Sequence, residues 1–429
     1  MMTKALNQLT ASEIVQAVTT GKTTAEAVAR ACLDHIQARE PQVEAWHFLD
    51  PDLVLKQARA LDASGKAGPL QGVPVGIKDI IDTADMPTEY GTPIHKGHRP
   101  RIDAALVALT RRAGGLIMGK TVTTEFANRY PGKTHHPQDP ARTPGGSSSG
   151  SAAAVGDSMV PLAVGTQTTG STIRPAAYCG CVGYRPTWGD IRCHGVMEAA
   201  ASLDTVGLIA RSVEDIALYR DVLLGVTPQP MAAQTPRHWR IGFCRTPFWD
   251  QCEPYAQQSL EDCAAQLARA GANVTDVTLP DEFKRIDDAH RWVSSFEFAR
   301  NRTWEINHHY NQISATLRDN RLKDGLACSF ETYRDSRSFL ARMRRSLHDI
   351  FSGYDVLLTP PACGEAPVGL HATGNASHSV LWTSTHVPCM TLPLFKGPNG
   401  LPVGAQLIAA RNNDRLLFDA ARWVWRHGA

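Results

Sequence analysis

The chain has 429 residues, 43% of them hydrophobic, with 34 glycines and 27 prolines, enough to bury a large core as one big domain or two ordinary ones. Lys+Arg 44 against Asp+Glu 42 leaves no charge excess of the kind that binds nucleic acid or an anionic membrane surface. The opening stretch lacks an apolar core of signal-peptide length, and no later run approaches the ~18 apolar residues of a spanning helix, so the expectation is a soluble cytoplasmic protein.

Two capping boxes, Thr10-Ala-Ser-Glu13 and Thr23-Thr-Ala-Glu26, announce the first helices, and the second runs into Val28, Cys32, Leu33 and Ile36 on one face. A helical part over 1–65 packed on a catalytic body over 66–429 is predicted. Strand-like and helical runs then alternate: Val73–Ile77, a helix from Asp103 through Leu106, Val107 and Leu109, Gly115–Gly119, a helix near Gly150–Ser158, and Met159–Gly165. Apolar runs at Val206–Ala210, Ile241–Cys244, Val274–Leu279, Val356–Leu358, Met390–Leu394 and Val403–Ala409 supply more strands, with a helical pattern over Ser259–Ala270. The stretch 280–350, rich in Arg, His and aromatics, reads as helices. No linker, charge block or internal repeat marks a boundary, so a single α/β domain over 1–429 is the simpler account.

Chemistry gathers in three places. Lys78 ends the apolar strand in Gly72-Val-Pro-Val-Gly-Ile-Lys78, where loss of solvent lowers an amine's pKa toward neutrality and makes it a candidate base. Thr143-Pro-Gly-Gly-Ser-Ser-Ser-Gly-Ser151 precedes the helix start Ala152-Ala-Ala-Val155; its glycines let the backbone approach a ligand, and the helix start offers free N–H groups. A flexible linker fits poorly between two ordered elements, and a phosphate loop lacks the Gly-Lys-Ser/Thr ending. Gly146-Ser-Ser-Ser-Gly150 also matches G-x-S-x-G with Ser148 central, but loop formers and not a strand precede it. Ser171, 24 residues after Ser147, closes the polar turn Thr168-Thr169-Gly170-Ser171, whose successive N–H groups can point at one spot. Arg174 is a candidate fork for a substrate carboxylate, with a structural ion pair as the alternative.

Other clusters carry less. The ten cysteines argue for buried reduced thiols over a disulfide framework, and Cys179-x-Cys181 with Cys193-His194 fits no usual zinc spacing. His135-His136 and His308-His309 have no third ligand at metal spacing and read as exposed loop residues. No feature compels a metal or another cofactor.

Together, Gly76-Ile77-Lys78, Gly145–Ser151 and Gly165–Ser171 continuing to Pro175-Ala-Ala-Tyr-Cys-Gly180 resemble the amidase signature family and, within it, the bacterial malonamidases. The likeness extends to Gly207-Leu-Ile-Ala-Arg-Ser-Val-Glu-Asp215, Asp355-Val-Leu-Leu-Thr-Pro-Pro and Gly400-Leu-Pro-Val-Gly-Ala-Gln-Leu. The resemblance implies a mixed, mostly parallel twisted sheet with helices on both faces. It implies Ser171 as nucleophile, Ser147 as proton relay after a cis peptide, Lys78 as neutral base, and the N–H groups of Thr168, Thr169, Gly170 and Ser171 as oxyanion hole. It assigns Arg174, Gln167 and Ser148 to substrate binding and implies a homodimer without cofactor. Most members carry Asp where this chain has Gln167, Gly at Thr169, and their arginine one position earlier than Arg174.

The function implied is an amidohydrolase that cleaves a small carboxylate-bearing amide, malonamate-like, to acid and ammonia, without nucleic-acid or membrane partners. The alternatives are an amidotransferase subunit that works on aminoacyl-tRNA in a hetero-oligomer, an amidase for urea- or biuret-like or neutral amides, and a non-catalytic binding protein that keeps the fold.

Overall fold

Apolar runs resolve into strands β1 Trp46–Leu49, β2 Pro74–Lys78, β3 Leu116–Thr121, β4 Leu162–Gln167, β5 Val182–Arg185, β6 Thr205–Ala210, β7 Arg240–Cys244, β8 Asn273–Val277, β9 Val356–Thr359, β10 Cys389–Lys396 and β11 Pro402–Ala409. The structure is a computed structural model that describes residues 4–65, 67–231 and 237–428; the first three residues of the opening stretch lie outside them. All eleven strands join one sheet in the order β1-β3-β2-β4-β6-β5-β10-β11-β9-β7-β8.

Successive strand side chains point to opposite faces. Accordingly Val356 and Leu358 of β9 and Leu407 and Ala409 of β11 belong to one core, while their neighbours Leu357 and Ile408 belong to another. The first core takes Leu260 and Leu267 from helix Pro254–Arg269 and Leu417, Phe418 and Val424 from helix Asp414–His427. The second takes Val293 from helix Ile286–Asn301, Leu340 and Leu347 from helix Phe330–Ile350, and Val380 and Leu381 from helix Ser377–Ser384. Helices therefore cover both faces of a single large domain, and the stretch 280–350 is helical as expected.

The sheet is mixed, with a smaller parallel share than expected. Parallel neighbours form two blocks, β3-β2-β4 and β9-β7-β8, and the remaining pairs are antiparallel. A parallel pair needs a long crossover, which helices Ala105–Arg112 and Ser149–Gly156 supply in the first block. The short Gly397–Leu401 link can only turn β10 back antiparallel into β11.

The N-terminal part is not purely helical, since β1 pairs with β3. Thr10 and Glu13 form the expected capping box on helix Ala11–Thr19, whose first N–H groups also donate to the buried Asp215 carboxylate. The second box is displaced: Thr24, not Thr23, caps helix Ala25–Val43 by accepting from the Ala27 N–H, and Glu26 pairs with Arg30 and Arg59 on the surface. β4 starts at Leu162 and not Met159, because Pro161 has no N–H to give a ladder. No helix among the described residues is long and apolar enough to cross a membrane.

This topology places the motifs. β2 and β4 are parallel with Ile77 opposite Val164, so Lys78 and the residues after Gln167 leave the sheet at one edge. β6 runs back along β4 with Thr205 opposite Gln167, which brings Asp204 to that edge too.

Candidate active site

Lys78 is fully buried, and its Nζ lies 2.7 Å from Ser147 Oγ and 2.8 Å from Thr166 Oγ1. No carboxylate pairs with it among the described residues. Lys120, equally buried on β3, is an internal contrast: its Nζ sits 3.2 Å from the Asp79 carboxylate. Desolvation acts on both amines, but only Lys120 has an anion beside it. Burial pulls Lys78 down to about 7, against the weaker upward pull of the Asp204 charge. A neutral amine that can accept a proton from a hydroxyl is the consequence.

Ser147 follows a cis peptide bond at Gly146. Its loop runs into helix Ser149–Gly156, and Gly150 is needed there because a Cβ would fall 2.2 Å from the Ala45 carbonyl oxygen and 2.4 Å from the Val122 nitrogen. Ser148 does not face substrate. Its N–H donates to the Ser171 carbonyl at 3.2 Å, while its Oγ donates to the Thr166 carbonyl at 3.3 Å and accepts from the Thr166 N–H at 3.2 Å. It is a buried stitch between the two serine loops, which corrects its expected substrate contact.

Ser147, Thr168, Thr169, Gly170, Ser171 and Arg174 all line one cavity of about 410 Å³. The N–H groups of Thr169, Gly170 and Ser171 have no protein acceptor among the described residues. Gln167 is absent from this lining and fully buried. Its Oε1 accepts from the Thr172 and Ile173 N–H groups, both at 3.0 Å, and so caps helix Ile173–Tyr178; its Nε2 donates to Thr383 Oγ1 at 3.0 Å. The expectation that Gln167 binds substrate is corrected by that inward direction.

Arg174 reaches the cavity, but its donors are largely engaged. Nη1 donates to the Gly374 carbonyl at 2.8 Å, and Nη2 donates to the Gly146 carbonyl at 2.6 Å and to Thr373 Oγ1 at 3.0 Å. Arg174 thus ties the Ser147 loop to residues 373–374. Two further arginines, Arg129 and Arg321, line the same cavity, and neither has a carboxylate partner among the described residues. Arg321 lies in the π-helical turn Arg318–Leu322. The lining contains three arginines and no Asp or Glu.

Sequence reasoning missed Arg129 and Arg321, which carry no local motif, and it missed Thr166, Asp204, His290 and Thr383. Thr166 and Asp204 stood inside or beside quoted motifs. His290 and Thr383 come from distant helices and had no signal. Among the other clusters, Cys179 and Cys181 are buried, where desolvation pushes their thiols up. His136 is not an exposed loop residue: it is fully buried with Nε2 2.8 Å from the Tyr178 carbonyl oxygen. His308 and His309 end helix Thr303–His309.

The family model described as Amidase matches residues 27–418. The chain belongs to the amidase family. Within this family, a glutamyl-tRNA(Gln) amidotransferase subunit of Chloroflexus aggregans is 38% identical over 298 residues, 64% of this chain and 61% of the relative. The chain thus aligns with less than two thirds of the length of such curated relatives. A crystal structure of an amidase superposes with TM-score 0.90 at 27% identity, covering 98% of this chain and 100% of the other. The peptide amidase from Stenotrophomonas maltophilia gives 0.81 at 27% identity, covering 98% and 96%. Neighbours of this kind carry the amidase-family sheet and its helices.

Proposed function

We propose that the protein is an amidohydrolase that cleaves a small anionic amide, malonamate-like, through an acyl-enzyme on Ser171. The observation that carries this reading is the composition of the cavity: Ser147 and Ser171 share it with Arg129, Arg174 and Arg321, and no carboxylate opposes them. Like charges gathered at a partly desolvated site favour an anionic ligand.

The proposed steps draw on side chains and water alone. Ser171 Oγ attacks the amide carbon while its proton passes to Ser147 Oγ, which passes its own to Lys78 Nζ. The carbonyl oxygen, now an anion, is held by the N–H groups of the 168–171 loop. Collapse expels the nitrogen, which takes a proton back through Ser147 and leaves as ammonia. Water then adds to the ester by the same relay, freeing the acid and Ser171. Gln167 and Ser148 support the loops, and the dimer implied by the resemblance belongs to this reading.

The arginines provide the test. Arg321→Gln is expected to raise KM about tenfold or more for malonamate-like amides and leave neutral amides of equal size nearly unchanged, measured by ammonia release. Arg174→Gln is expected to depress both substrate classes, because it also releases the Gly146 carbonyl. Equal losses on anionic and neutral amides in the Arg321 variant would remove the anionic substrate class.

A second reading, an amidotransferase subunit that works on aminoacyl-tRNA, draws support from the 38% identity to the Chloroflexus aggregans protein. It predicts co-purification with partner subunits and tRNA. Efficient ammonia release by the isolated chain from a small acid amide decides against it.

A further inference from the structure

The Thr168–Ser171 loop is gripped from behind by groups that the proposed chemistry does not use. The Thr168 carbonyl accepts a hydrogen bond from His290 Nε2 at 2.9 Å, and the Thr169 carbonyl accepts one from Thr383 Oγ1 at 2.7 Å. The Thr168 hydroxyl donates to Asp204 Oδ1 at 2.5 Å, and the other Asp204 oxygen accepts from the Ala199 and Ala200 N–H groups at 2.7 and 2.9 Å. The peptides that follow Thr168 and Thr169 are both trans.

A trans peptide is planar, with its C=O and N–H pointing in opposite directions. Anchoring the Thr168 carbonyl therefore sets the direction of the Thr169 N–H. Anchoring the Thr169 carbonyl sets that of the Gly170 N–H. Thr169 and Gly170 both line the cavity with Ser147 and Ser171, and neither N–H has a protein acceptor among the described residues. We infer that His290 and Thr383 are positioning residues that aim the Thr169 and Gly170 N–H groups at the substrate's carbonyl oxygen, an inference that rests on the proposed role of this loop.

The hydrogen-bond directions agree. A carbonyl oxygen only accepts, so His290 Nε2 must carry the hydrogen. His290 is buried on helix Ile286–Asn301, and desolvation pulls it down to about 4, so this neutral tautomer persists at working pH. Thr383 has one hydrogen to give. Gln167 Nε2 donates to the Thr383 oxygen, which leaves that hydrogen for the Thr169 carbonyl. An aspartate at position 167 could not donate in this way, so the Gln167 departure noted in the sequence gains a physical role. Gly170 is also pressed against helix Ser377–Ser384, where an added Cβ would come 3.1 Å from the Ser379 Cβ, so the loop has little freedom to re-aim its donors.

Donors fixed before reaction act on the developing charge more than on bound substrate. In His290→Phe, which keeps a ring but has no donor, kcat is expected to fall about 10- to 100-fold with KM within about threefold. Labelling of Ser171 by an alkyl fluorophosphonate, whose phosphoryl oxygen occupies the same position, is expected to slow by a similar factor. His290→Gln, with an amide donor, is expected to recover much of both rates. Thr383→Val, similar in shape without the hydroxyl, gives a second route should the histidine variants fail to fold, with the same kcat-selective loss. Wild-type labelling rates in His290→Phe and Thr383→Val, or a His290→Gln as slow as His290→Phe, would overturn the inference. Failure of the wild-type protein to label at Ser171 would overturn instead the proposed nucleophile.

Discussion

Replacing Ser171 by alanine is expected to abolish amide hydrolysis, with kcat reduced by about 10⁴-fold or more. The remaining cavity still offers its N–H donors and arginines, so substrate binding is expected to survive the loss of turnover. Ammonia release followed under saturating amide, together with binding of the same amide to the variant, separates the two. Near-wild-type hydrolysis by Ser171→Ala would end the assignment. The fold should tolerate the change, because the contact that stitches this loop to its neighbour uses the Ser171 carbonyl and not its side chain.

The second large effect belongs to Lys78. Lys78→Ala removes the amine in contact with Ser147 and is expected to lower kcat by about 10²- to 10⁴-fold, the usual worth of a positioned base. Its pH signature follows from sign. The working form is the neutral amine, whose folded pKa lies near 7, so the rate rises with pH through about 7 and falls about tenfold per unit on the acid side. Asp204 pulls the same pKa upward, so Asp204→Asn is expected to move the acid limb of kcat/KM to lower pH. A profile flat from pH 5 to 9 would show that no group of this kind limits the rate.

Lys78, Ser147 and Ser171 were legible in the sequence because each sits in a run whose composition already dictates the course of its backbone. These are an apolar strand with a polar end, a glycine-rich entry to a helix, and a polar turn after a strand. What such runs leave open is side-chain direction. Gln167, Ser148 and Arg174 stand in those motifs, yet the first two point into the protein and the third spends most of its donors on carbonyls, which only three-dimensional placement decides. His290 and Arg321 were illegible for another reason, since they arrive from helices more than a hundred residues downstream whose apolar pattern records only packing. In the fold, the α/β alternation and most strands were readable. Four-residue β1 and β5 were too short to show a period, and the parallel share was overestimated because a strand run does not state its direction.

The arginine-lined cavity has an outcome for turnover as well as for selection. Hydrolysis of an acid amide yields a diacid, so the product leaves with one more negative charge than the substrate brought. The cationic walls that draw the substrate in therefore hold the product harder, and departure of the diacid becomes the step that added salt would hasten.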